Sequence, residues 1–124
     1  MEPLYVLQGI VIQGKKRGKI FGFPTANIPL DKDVPEGIYA SEVILMDKVY
    51  PAATFIGAAE TYNENDKKVE SYILDFNQDI YNKKITVKLY NKLRENKKFT
   101  SEQKLVEQIK KDVEGVKKYL QKNS

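Results

Sequence analysis

The chain predicts a mainly β fold, an antiparallel barrel closed or nearly closed by five or six strands, with one helix docked after it. Three observations carry this. From Leu4 to Tyr90 the apolar residues fall in short runs rich in β-branched and aromatic side chains, punctuated by turn residues. After Phe99 the period changes, and Leu105, Ile109, Val113, Val116 and Leu120 recur at three- and four-residue intervals, the spacing of a helix with one buried stripe. No internal repeat, linker or second composition interrupts the sequence, so one domain is expected over residues 1–124, with the barrel at about 4–92 and the helix at about 101–121.

The first strand is Leu4–Gln13, with Gly9 marking a bend or a close backbone approach. A glycine-rich loop follows, and Ala26–Leu30 leads out of it. Asp33-Val34-Pro35-Glu36-Gly37 has turn chemistry. Ile38–Met46 and Val49–Ile56 read as two strands joined tightly at Asp47-Lys48. Residues 58–68 are polar and aperiodic, an exposed loop. Val69–Phe76 is a strand with Glu70, Tyr72, Leu74 and Phe76 on one face. Asn77–Lys83 turns the chain, and Asn82 suits a left-handed position there. Ile85–Tyr90 alternates as another strand. Thr100 and Gln103 have the spacing of a capping box at the helix start, and Lys117, Lys118 and Lys122 suit the negative pole at its end.

Composition narrows the chemistry. The sequence has no Cys and no His, which excludes disulfides, thiolate metal sites and imidazole catalysis. A base must be a carboxylate, Lys or Tyr. No run approaches the roughly 20 apolar residues of a membrane span, and Met1-Glu2-Pro3 does not begin like a signal peptide. The expectation is a cytoplasmic protein with no membrane partner. The net charge of +4 comes from lysines spread along the chain, the mark of a solvated surface rather than of a nucleic-acid groove.

One stretch concentrates function. Gly14–Asn27, GKKRGKIFGFPTAN, holds Gly14, Gly18 and Gly22, the cations Lys15, Lys16 and Arg17, and the run Pro24-Thr25-Ala26-Asn27. Glycines let backbone N–H groups approach an anion closely, and nearby cations attract it. In an extended chain Thr25 and Asn27 share a face, so a hydroxyl and an amide oxygen can meet one hard cation whose other ligands are phosphate oxygens. The stretch is neither a Walker A loop nor GxGxxG. On these residues alone, a purely structural loop stays open beside an anion site.

The same stretch closely resembles the signature of the riboflavin kinase (flavokinase) family. The resemblance continues in order through Gly9-x-Val11-x-x-Gly14, Pro35-x-Gly37-x-Tyr39-Ala40, Tyr50-Pro51-Ala52 and Ile56-Gly57. It then runs through Val69-Glu70, Leu74-Asp75-Phe76, Asp79-x-Tyr81, Leu93-Arg94-Glu95, Phe99-x-Ser101 and Gln108-Ile109 with Asp112. It implies a six-stranded antiparallel Greek-key barrel with a C-terminal helix. It also implies phosphorylation of riboflavin to FMN, with ATP as co-substrate and Mg²⁺ or another divalent metal. By the resemblance, Gly14, Gly18, Lys19, Thr25 and Asn27 bind the nucleotide, and Thr25 and Asn27 also bind the metal. Glu70 matches the proposed base for the ribityl 5′-hydroxyl. Arg94 matches the Arg of a lid over the flavin, Leu93–Phe99, and Tyr81 and Phe99 are aromatic candidates for the ring pocket.

Each of these has a plainer alternative on the residues alone: an exposed carboxylate at a strand start for Glu70, a solvated connection for Arg94, core packing for Tyr81 and Phe99. Three departures from the family pattern stand out. Ala58-Ala59-Glu60-Thr61-Tyr62 replaces a proline-containing run, Glu70-Ser71-Tyr72 replaces Glu-x-His, and Tyr81-Asn82 replaces Tyr-Gly. Nothing resembles the nucleotidyltransferase half that many bacterial members carry. The expected protein is a monomeric kinase whose partners are riboflavin/FMN and ATP/ADP, with no nucleic acid. Its rivals are a non-catalytic flavin or nucleotide sensor of the same fold and a small basic nucleic-acid-binding barrel.

Overall fold

A computed structural model describes residues 1–12, 19–20, 23–58, 67–76 and 78–123. Alternating β-branched runs form β1 (Tyr5–Ile10), β3 (Phe23–Pro29), β4 (Gly37–Leu45), β5 (Lys48–Ala58), β6 (Lys67–Ile73) and β7 (Lys84–Arg94). A two-residue β2 (Lys19–Ile20) folds back on β3. The helix α1 spans Glu102–Asn123. All pairings are antiparallel, in the order β1-β7-β4-β5-β6-β3-β2. β4, β5 and β6 are successive neighbours and β7 returns to lie beside β4, which is a Greek key.

The sheet curls until its edges meet. Beyond β1, Ile12 bridges to Asn27 on β3, its N–H donating to the Asn27 carbonyl at 2.8 Å. Gly9 suits this seam, since a Cβ there would stand 3.1 Å from the Ile28 Cβ and that neighbour would have to give way by a few tenths of an ångström. Six long strands with one bridge at the seam make a partly open barrel. The interior is filled by alternate residues of every strand, among them Leu7, Ile28, Tyr39, Val43, Ile56, Val69 and Val87. The return from β6 to β7 brings Ile80 and Phe76 to the same core, with Phe76 edge-on to Tyr50 at 4.9 Å between ring centroids.

On the outer face, Val116 of α1 packs with Ala40, Ala53 and Leu74, and Val113, Tyr119, Leu120, Tyr72 and Leu93 close around them. Alanines on β4 and β5 let the helix sit close to the sheet. The N-terminal part of the predicted stripe, Leu105 and Ile109, is only half-buried.

Several boundaries differ from the sequence-based expectation: β1 is Tyr5–Ile10 rather than Leu4–Gln13, β3 begins at Phe23 rather than Ala26, and Ala58, Lys67 and Lys68 of the expected loop pair as strand. The β4–β5 turn is Met46-Asp47, not Asp47-Lys48, because a two-residue hairpin needs positive φ at both positions, here 50° and 66°. β6 ends at Ile73, and a positive φ of 53° at Asp75 turns the chain so that Phe76 leaves the Glu70 face for the core. β7 runs four residues past Tyr90. Register shifts against β4 between Ile38 and Tyr39 and between Ala40 and Ser41 break its alternation there, which hides the strand from a period-two pattern. Ser101, not Thr100, caps α1, its Oγ accepting from Lys104 N–H at 3.2 Å, while Gln103 reaches along the helix to Glu107. Asn82 adopts the left-handed conformation expected of it, with φ 69°.

Candidate active site

β3 pairs with β6 so that Thr25 opposes Tyr72, Ala26 opposes Ser71 and Asn27 opposes Glu70. Opposed residues share a face. Ala26 and Ile28 point into the barrel, so Thr25 and Asn27 point outward, on the side that carries α1. Asn27 is 5% exposed, yet its Oδ1 and the Thr25 Oγ1 are buried without a hydrogen-bond partner among the described residues. Buried polar atoms are nearly always satisfied, and an exception marks room for a further partner such as a water or an ion. Two neutral hard oxygens on one face fit Mg²⁺. No group of three or more carboxylates, among the described residues, offers it an all-protein cage. Phosphate oxygens would therefore have to complete such a site. Lys19 lies on β2 opposite Pro24, beside this pair in the chain. Gly14 and Gly18 lie outside the described residues, as do residues 59–62 of the departing run.

Glu70 is half-buried and lies between Asn27 on β3 and Phe55 on β5. The face it shares with Tyr72 and Leu74 is apolar, as its pattern predicts, but it is the helix-covered outer face. The barrel interior takes Val69, Ser71 and Ile73 instead. Alternation identifies which residues lie together but not which side turns inward. Both faces of β6 are apolar here, because α1 gives the sheet a second core.

The outer row continues from Glu70 through Phe55 and Ile38 to Arg94 at the end of β7. Four strand spacings separate Asn27 from Arg94, roughly 19 Å along the sheet. Arg94 meets Phe99, its guanidinium carbon 5.9 Å from the ring centroid, and the Lys97 ammonium lies 5.8 Å from the same ring. Its fork, however, is engaged by Asp112 of α1: Nε and Nη2 donate to Oδ1 and Oδ2, each at 2.8 Å. Gln108 donates to the same carboxylate at 3.1 Å. A buried carboxylate held by a two-pronged guanidinium and an amide is well compensated. Asp112 carries two sequence signals, its place in the family pattern and a charge four residues before Val116 on the helix's inward stripe.

The chain from Arg94 to Ser101 forms a strap across the β4 and β5 ends. Asn96 Nδ2 donates to the Ile56 carbonyl at 3.1 Å. Two glycines leave room for it. A Cβ at Gly37 would lie 2.5 Å from Lys92 Cε and 3.0 Å from the Arg94 carbonyl, and one at Gly57 would lie 2.8 Å from Asn96 Nδ2. Asn96 carries no sequence signal of this role. Tyr81 does not join the group. It is 50% exposed in the turn before β7, its N–H held by Asp79, and the eleven residues of β7 put roughly 30 Å of strand between that turn and Arg94.

The partly open Greek-key barrel with one packed helix defines the class, a small antiparallel barrel whose helix side carries two buried oxygens without partners among the described residues and a half-buried carboxylate beside them. The family model described as flavokinase (riboflavin kinase) matches residues 1–120, and the chain belongs to that family. The bifunctional riboflavin kinase/FMN adenylyltransferase of Bacillus subtilis is 36% identical over 93% of this chain and 38% of its own length. The solved riboflavin kinase of Trypanosoma brucei superposes with a TM-score of 0.71 at 32% identity, over 98% of this chain and 82% of that one. A Streptococcus pneumoniae structure described as a macrolide-efflux protein gives 0.83 at 35% identity, over 93% of this chain and 38% of that one. Against several curated relatives the chain spans less than two fifths of their length.

Proposed function

We propose that the chain is a riboflavin kinase, transferring the γ-phosphoryl group of ATP to the ribityl 5′-hydroxyl of riboflavin and releasing FMN and ADP. The observation that carries this is the pair of buried oxygens, Thr25 Oγ1 and Asn27 Oδ1, unsatisfied among the described residues and facing the same way as Glu70 across one strand pair. Nucleotide phosphates lie against Thr25 and Asn27, and the family resemblance adds Gly14, Gly18 and Lys19 as nucleotide-binding residues. Thr25 Oγ1 and Asn27 Oδ1 would hold a divalent cation, which would neutralise phosphate charge.

Glu70 accepts the proton of the 5′-hydroxyl as that oxygen bonds to the γ-phosphorus and the bond to the bridging β–γ oxygen breaks. Phosphoryl transfer asks mainly for positioning and charge stabilisation, and residues one strand spacing apart provide the positioning. The flavin ring lies along the row toward Phe55, under the strap. Arg94 acts there through Phe99, because Asp112 holds the guanidinium fork. Tyr81 lies away from the strap, in the turn whose Asn82 N–H donates to the Val11 carbonyl, one residue from the Ile12–Asn27 bridge, and stays an aromatic candidate on that side of the site. The protein acts as a cytoplasmic monomer. Incubation with riboflavin, ATP and Mg²⁺, followed by chromatography, should yield FMN, and each omission, or excess chelator, should abolish it. Absence of FMN from the complete mixture would overturn the assignment.

A further inference from the structure

The barrel interior holds one feature that its packing does not require. Ser41 on β4, Thr54 on β5 and Ser71 on β6 are each 0% exposed amid aliphatic side chains. Their hydroxyls form a chain: Ser41 Oγ donates to the Ala52 carbonyl at 2.7 Å, lies 2.6 Å from Thr54 Oγ1, and Thr54 Oγ1 lies 2.8 Å from Ser71 Oγ. Each hydroxyl has one proton. The Ser41 proton goes to a carbonyl, so Thr54 must donate to Ser41 and Ser71 to Thr54. The chain has a single polarity and ties three neighbouring strands to one backbone oxygen.

Its far end lies directly behind the site. Ser71 stands between Glu70 and Tyr72 and opposes Ala26, which stands between Thr25 and Asn27. Side chains alternate across a strand, so the inner hydroxyl and the outer carboxylate are fixed by the same stretch of backbone. Apolar contacts tolerate small slides along a strand, whereas hydrogen bonds of 2.6–2.8 Å are directional. Replacing every member of such a chain by apolar groups of similar shape is close to neutral for folding. The chemistry on the other face is not so tolerant, because a displacement near 1 Å costs a rate factor on the order of 10².

We infer that the Ser41–Thr54–Ser71 hydroxyl chain is a positioning device for the phosphoryl-transfer site, with Thr54 as its central link, holding Glu70 in line with Asn27. The inference rests on Glu70 being the base. It is tested with the triple variant Ser41→Ala/Thr54→Val/Ser71→Ala, the single variants Thr54→Val and Thr54→Ser, and Glu70→Gln as reference.

The triple variant should keep or raise Tm while kcat falls about ten-fold, with the KM for riboflavin and for ATP within about two-fold of the unmodified protein. Thr54→Ser keeps the hydroxyl and loses a methyl, so its Tm should fall while kcat stays near normal. A purely structural role would move Tm and kcat together. A triple variant with full kcat at unchanged or higher Tm overturns the positioning role. So does Thr54→Ser with a kcat as low as that of Thr54→Val, compared per folded molecule, and this pair decides the matter if the triple variant does not fold. Full activity in Glu70→Gln would instead remove the base, whatever the hydroxyl variants show.

Discussion

On the proposed function, Thr25 makes opposite contributions to stability and to activity. Its buried hydroxyl oxygen lacks a partner among the described residues, and such an atom costs about 1–3 kcal/mol. Thr25→Val keeps the shape and removes that oxygen. The ligand-free variant should therefore melt at or above the temperature of the unmodified protein, while its use of MgATP weakens most at low Mg²⁺; equal activity at low Mg²⁺ would remove the ligand role. Glu70→Gln keeps size and a hydrogen-bonding oxygen but cannot take a proton. Its kcat should fall roughly 10²–10⁴-fold with affinities little changed, and retention of more than about a tenth of the rate would dismiss the base. Away from the site, Tyr90 donates to Glu42 Oε1 at 2.5 Å. Burial, reinforced by that carboxylate, pushes its pKa up to about 12. A raised folded-state value stabilises fully below the unfolded value near 10 and ceases to do so as pH passes about 12. Urea titrations of Tyr90→Phe should show a shallower alkaline loss of stability from about pH 10 upward. That Thr25 and Asn27 share a face is legible from their spacing. Their burial without partners among the described residues is not, because it depends on β6 pairing from far along the chain.

At the level of elements, the strap and the end of β7 were the least legible. The run Arg94-Glu95-Asn96-Lys97-Lys98 looks like a solvated connection, yet Arg94 completes a strand and Asn96 grips β5. Bulges erase the alternation of one, and the other depends on a carbonyl forty residues away. Gly57 ties both to the sequence, since a Cβ there would meet Phe55 Cζ at 2.7 Å and Asn96 Nδ2 at 2.8 Å. Both contacts are ends of side chains, so Gly57→Ala should displace Asn96 and release the strap without unfolding the barrel. Hydrogen exchange over residues 95–101 should quicken in this variant while β4 and β5 stay protected. In the unmodified protein the same segment should slow when FMN is added, and exchange indifferent to FMN would dismiss it as a cover for the flavin. β1, β4, β5, β6 and the helix are legible because hydrophobic periodicity and turn residues agree there, whereas β2 and the start of β3 fall in a stretch that reads as a glycine-rich loop.

In the whole molecule, the strand made first pairs with the strand made last: Tyr5 opposes Leu89 and Ile10 opposes Lys84. A growing chain can form the β4–β5–β6 meander from neighbours, but β1 has no edge to join until β7 has been synthesised and has folded back beside β4. The entropy of closing so long a loop must be met before that pairing contributes anything. Folding limited by this step belongs to the slow, millisecond-to-second range of nonlocal β topologies. The seam lies at the end of the same strand, where Ile12 bridges to Asn27. Timing then separates this barrel from one whose site lies within a single hairpin. In stopped-flow refolding, protection of the meander should come first, and the capacity to make FMN should return only with the last phase, when the two ends of the sheet meet.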